Sequence, residues 1–177
     1  MVETTDSIDL DSTEDASQFL TFKLSGEELA VPIMQVKEII EYDELTNVPM
    51  VPEFIAGAIN LRGSVVPVVN LAIKFGLEPC EITRRTCVII MEIDIDGEHS
   101  VMGMLVDKVL QVIDIADENI DPAPSFGAQI RTDFIRGMAK LEDRFIIILA
   151  INKVLSVEEI AVVGNINDDG SSEVTVD

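Results

Sequence analysis

The feature that most constrains this chain is a set of aliphatic runs, each of strand length and each bounded by turn residues. Thr86 to Ile95 reads TCVIIMEIDI, Ser64 to Val69 reads SVVPVV, and Arg144 to Ile151 reads RFIIILAI. Runs this short, rich in Val and Ile and lacking a sustained helical period, belong to strands. Phe19 to Leu24 puts Leu20, Phe22 and Leu24 on one face, and Ser25-Gly26 turns it into Leu29-Ala30-Val31. Asp96-Gly97 is a strong two-residue hairpin signal between the Thr86 run and a partner from His99 to Val106. Val109 to Ile115 reads as a further strand, Glu142-Asp143 is the turn before Arg144, and Pro67 predicts an edge strand or a bulge.

Helices are short. Ile33, Val36 and Ile40 are spaced for a helical turn that starts at Pro32, and Pro52 to Ala56 fits one turn. Asn70 caps Leu71–Phe75, with Gly76 as the left-handed stop. A last helix starts at Asn152, with Val154, Leu155 and Val157 inward. Many short strands separated by turns predict an all-β barrel or sandwich rather than alternating βα units. No internal repeat is clear enough to guide the reading.

Charge sets the class of partner. Of 177 residues 47% are hydrophobic and only 5% aromatic, so the core is aliphatic. The net charge is −21; residues 1–18 carry six acids and no base, and residues 165–177 four acids and no base. The remaining body is still strongly acidic, which disfavours nucleic acid and anionic membrane surfaces. Both ends, 1–17 and 164–177, read as disordered acidic tails. The acidic, polar start is the opposite of an export signal, and no apolar run reaches a membrane-spanning length, so cytoplasm is expected.

Parts for chemistry are missing. Cys80 and Cys87 are too few and too far apart for a zinc site, and His99 is the one histidine. Asp94-Ile95-Asp96-Gly97-Glu98 has a faint look of a calcium loop, but Leu105 stands where the closing Glu should be. No nucleophile elbow or phosphate loop occurs, so no catalytic residue, metal or cofactor is expected. Two charges do stand out: Arg62, between an apolar run and Gly63, and Glu38 inside Val36–Ile40. Residue types leave two readings open, a structural ion pair bracing a barrel or a partly exposed pair in an apolar docking surface.

Three blocks, Leu29–Ile39, Val48-Pro49 and Gly57–Leu71 with its Asn60-Leu61-Arg62-Gly63 centre, resemble the signature of CheW-type domains. Gly103–Val109, Ile120–Pro124, Phe134–Gly137 and Ile146–Val154 continue the likeness, so that it covers residues 18–163. The resemblance implies two intertwined five-stranded SH3-like β-barrels sharing a hydrophobic seam. The first would be residues 19–70 plus the C-terminal strand and the second residues 71–135. It further implies a non-enzymatic chemotaxis adaptor that joins the cytoplasmic tip of methyl-accepting chemoreceptors to the regulatory barrel domain of the histidine kinase CheA. Such a protein reaches the inner face of the membrane only through receptor arrays. By motif position Leu20, Ile33 and Val36 would meet the kinase, and Glu38, Gly57, Arg62 and, more weakly, Gly103 would serve receptor coupling. An adaptor of another receptor–kinase pathway, such as one for surface motility, and a small-ligand barrel are the alternatives.

Circular dichroism of the chain should be dominated by β-structure, and titration with calcium should give no saturable micromolar binding. A helical spectrum or a saturable calcium heat would overturn the respective reading.

Overall fold

The computed structural model describes residues 16–43, 45–78, 81–95, 98–122 and 132–154. Its strands are β1 (Ala16–Leu24), β2 (Glu27–Pro32), β3 (Val36–Glu41), β4 (Ile55–Leu61), β5 (Ser64–Asn70), β6 (Cys87–Ile95), β7 (Glu98–Val106), β8 (Lys108–Ala116), β9 (Ile120–Asp121), β10 (Ile135–Leu141) and β11 (Arg144–Leu149). Two short helices, α1 (Leu71–Phe75) and α2 (Ile151–Val154), follow β5 and β11. The chain is mainly β, as its runs predict. β1 begins at Ala16, inside the stretch expected to be tail; the rest of both tails, Cys80, the conformation of Asp96-Gly97, and Leu155 and Val157 lie outside the described residues.

Local signals hold where they are strongest. Ser25 (φ 54) and Gly26 (φ 85) make the left-handed pair that a two-residue hairpin needs, and Leu24 faces Glu27 across it. Asn70 caps α1 by accepting from the Ile73 N–H, and Gly76 ends it at φ 76. Ile95 pairs with Glu98, which leaves two residues for that hairpin connection. Other expectations shift. Ile33–Gln35 is a single 3-10 turn that gives way to strand β3, and Pro52–Ala56 is a turn entering β4. β5 lies inside its sheet rather than at an edge; Pro67 is tolerated because the parallel ladder with β7 starts one residue later, at Val68.

The strands form two sheets, in the orders β8-β1-β2-β11-β10-β9 and β3-β6-β7-β5-β4. Leaving aside the two-residue β9, each has five full strands, but the partition differs from the expected one. β3, β4 and β5, within residues 19–70, pair with β6 and β7, whereas the hairpin β1–β2 joins β8, β10 and β11. Two parallel contacts, β2 with β11 and β5 with β7, carry these crossings.

The crossings expose a repeat that sequence reading passed over. β1–β5 with α1 and β6–β11 with α2 follow the same course, and the first hairpin of each half sits in the sheet of the other. Phe54-Ile55-Ala56-Gly57 corresponds to Phe134-Ile135-Arg136-Gly137. Each β4-like strand carries a bulge before its glycine, with Ile55 and Gly57 opposite Val69 and Val68, and Ile135 and Gly137 opposite Leu149 and Ile148. The Asn70 N–H donates to the Phe54 carbonyl and the Ala150 N–H to the Phe134 carbonyl, at 2.7 and 2.8 Å.

Exchanged hairpins explain the unbroken apolar runs: their strands bury both faces. Phe19, Ala30, Ile146 and Ile148 fill the interior of the first sheet, and Val68, Val88, Ile90 and Leu105 that of the second. Alternating with them, Leu20, Phe22, Ile89, Met91, Met104, Ile147 and Leu149 form one shared seam between the sheets. At its end Lys74 lies over the Phe54 and Phe134 rings, 4.7 and 5.6 Å from their centroids.

A Cβ on Gly57 would stand 2.8 Å from the Thr46 carbonyl oxygen, and one on Gly137 would stand 2.8 Å from that of Asp121. Neither backbone oxygen can move without breaking the pairing that holds the bulge. Gly57→Ala and Gly137→Ala should each lose roughly 1–3 kcal/mol of stability, read by urea denaturation.

Candidate functional site

The second sheet curls until its outer strands meet, and the candidate site is the closure. Thr46, just past β3, exchanges two backbone hydrogen bonds with Ala58 of β4, both 2.8 Å. Beyond β4 the chain turns back through Arg62 (φ 54) and Gly63 (φ 90), and the Asn60 side chain accepts the Gly63 N–H at 3.0 Å. Arg62-Gly63 is the same left-handed pair as Ser25-Gly26, and this tight hairpin fixes where the Arg62 side chain starts. From there its Nη1 reaches Glu38 Oε1 on β3 at 2.6 Å. The ion pair thus joins the two ends of the sheet order.

The pair is at the surface. The Arg62 side chain is 73% exposed and that of Glu38 25%. That decides between the two readings as far as energy goes: screened by water, such a pair contributes little to stability, about 0–1 kcal/mol. Arg62 left alone would remain hydrated, whereas the half-buried Glu38 would keep part of a desolvation cost.

The other sequence-derived positions divide by burial. Ile33 and Val36 are half-buried and pack on the seam rather than standing clear of it. Leu20 is 2% exposed within that seam, so it cannot touch a partner directly. Gly103 is equally interior; a Cβ there would meet Val88 Cγ1 at 2.6 Å and Val68 Cγ2 at 3.3 Å. Its absent side chain is what lets barrel strands pack, and a contact role for it is withdrawn. Gly57 is buried under Leu45 and Thr46 and shapes the closure without facing outward.

Sequence reading missed Met34, 93% exposed in the 3-10 turn, and Ile39, 41% exposed on β3. The signal was present in the strand alternation of Val36–Glu41, in which Lys37, Ile39 and Glu41 face out. Reading that stretch with a helical period hid it. By register, Ile39 opposite Ile89 corresponds to Val112 opposite Leu20 in the other sheet, and Val112 is also an exposed apolar residue.

Among the described residues no group of three or more metal-ligating side chains gathers, and no helix is long and apolar enough to cross a membrane. Burial pushes the Cys87 thiol above its ordinary range, which keeps it protonated and a poor nucleophile at neutral pH.

A family model described as the CheW-like domain matches residues 18–159. A chemotaxis protein CheW of Klebsiella aerogenes is 38% identical over 149 residues, which is 84% of this chain and 87% of that one. A chemotaxis protein CheW of Bacillus subtilis is 37% identical over 143 residues, 80% and 88% of the two chains. Among solved structures, the scaffolding protein TtCheW of Thermoanaerobacter tengcongensis matches with a TM-score of 0.72 at 34% identity, over 81% of this chain and 90% of that one.

A double-mutant cycle on Glu38→Gln and Arg62→Gln, read by urea denaturation, should give a coupling energy below about 1 kcal/mol. A coupling of several kcal/mol would make the pair a structural brace.

Proposed function

Because the chain belongs to the CheW-like domain family, we propose that it is a chemotaxis adaptor without catalytic activity, coupling transmembrane chemoreceptors to the histidine kinase CheA. The observation that carries this reading is the exposed Glu38–Arg62 pair, which contributes little to stability yet is placed across the sheet closure by a tight hairpin. A charge pair set at the surface, where its stability return is small, is available for recognition. Glu38 and Arg62 present complementary charge to a receptor, and charge of this kind sets orientation and encounter rate more than raw affinity. Gly57 fixes the closure that positions them.

The kinase-facing surface in this reading is the Ile33–Val36 segment with the outward Met34 and Ile39, an apolar patch bordered by Lys37 and Glu41. Leu20 supports it from below. A partner's regulatory barrel domain laid on such a patch would bury the two exposed side chains and leave the charges at the rim, a suitable composition for a contact that forms and dissolves. Cytoplasmic placement, next to receptor arrays, follows from these partners.

Met34→Asp and Ile39→Asp should weaken CheA binding roughly ten- to a hundred-fold by calorimetry with little change in melting temperature. Leu20→Asp should instead unfold the chain. Glu38→Lys should abolish receptor-dependent kinase activation in a reconstituted mixture while the melting temperature stays close to that of the unaltered protein. Full activation by Glu38→Lys, or unaltered CheA affinity in both patch variants, would remove the assignment.

A further inference from the structure

Away from the Glu38–Arg62 closure, two adjoining hollows of ≈ 540 and ≈ 560 Å³ lie where β1, β2, β8 and β11 face the segment that leads into β6. They form one trough, because Arg85 and Lys108 line both. Lys23 lines one end and Arg144 the other, so that four of the chain's 12 bases gather on an otherwise acidic molecule. Lys23 and Lys108 stand directly opposite each other in the β1–β8 ladder. Like charges in that position weaken a sheet, so the arrangement favours an anion between them.

The trough also holds two carboxylates whose needs are unmet. The Glu28 side chain is only 9% exposed; its Oε1 lies 3.5 Å from Arg144 Nε, and its Oε2 is buried with no hydrogen-bond partner among the described residues. Asp107 Oδ2 accepts the Ser25 N–H at 2.9 Å, and Oδ1 is likewise buried without a partner. A buried acceptor without a donor costs free energy that a bound donor would return. Each hollow contains one of them.

Arg85, the shared base, is set on a firm turn. Its N–H donates to Thr83 Oγ1 at 3.0 Å, and the Thr83 N–H donates to Thr86 Oγ1 at 2.8 Å, with Thr86 buried. These bonds fix the backbone that carries Arg85, and its exposed guanidinium can take a carboxylate through two parallel hydrogen bonds.

A simple anion would meet the bases but press on Glu28, Asp107 and the rim acids Glu78 and Glu81. A polyamine would meet the acids but press on Arg85 and Lys108. We propose that the trough binds small zwitterions that carry one ammonium and two carboxylates, an acidic amino acid or short acidic peptide. The ammonium pairs with the carboxylate of Glu28 or Asp107; one ligand carboxylate takes Arg85 and Lys108, and the other Lys23 or Arg144. This site is independent of the kinase and receptor surfaces proposed above.

The test is calorimetric titration of the full chain at low ionic strength with the dipeptide Gly-Glu, with succinate and putrescine as probes of the anionic and cationic halves. The dipeptide should bind saturably at one site, at least tenfold more tightly than either probe. Arg85→Ala and Glu28→Gln should each weaken it tenfold or more, and Arg85, on an exposed loop, can be replaced without loss of the fold. Bound dipeptide should also slow alkylation of Cys87, which lines one hollow, as read on its own peptide by mass spectrometry. Succinate or putrescine binding as tightly as the dipeptide would overturn the proposal. So would no heat at millimolar dipeptide, or binding untouched by Arg85→Ala.

Discussion

The structure depends on one shared layer of aliphatic side chains. Leu20 and Phe22 from the first hairpin meet Ile89, Met91 and Met104 from the second, with Ile147 and Leu149 beside them. Each large side chain buried there contributes roughly 1.5–3 kcal/mol, so neither sheet can keep its seam face without the other. Because the opposite faces of these strands fill the two sheet interiors, the whole fold is one cooperative unit rather than two domains.

That layer also explains where the chain must be small. Inside the second sheet Gly103 faces Val68 and Val88, and inside the first Ala30 occupies the corresponding place beside Ile148. Strands curled tightly enough to bring their outer edges together leave no room for larger groups at these points. The same curl brings β3 to the turn after β4, which makes the Glu38–Arg62 contact possible. An exposed pair is thus a consequence of how the interior is packed.

The acidic surface has a complementary logic. A molecule with net charge −21 repels its copies and remains dispersed, while its few bases acquire local meaning. Arg62 meets Glu38 at the closure; Lys23, Arg85, Lys108 and Arg144 collect at the trough. The first group comes from two blocks of one signature, the second from four separate segments, which is why only the first was visible in the sequence.

What the sequence determined by itself was local: the strand runs, the Ser25-Gly26 turn, the capped Leu71–Phe75 helix, and the two charges embedded in apolar segments. Turn and cap chemistry is decided within a few residues, so reading it needs no knowledge of the rest. What tertiary structure alone decided was which hairpin joins which sheet, and hence which residues are hidden. A strand with two apolar faces carries no alternation to say which face meets which partner. For that reason nothing in the strand pattern warned that Leu20 and Gly103, named as contact residues by motif position, are interior. Conversely, the outward Ile39 was masked because a short apolar stretch fits a helical turn as well as a strand until its neighbour β6 fixes the pairing.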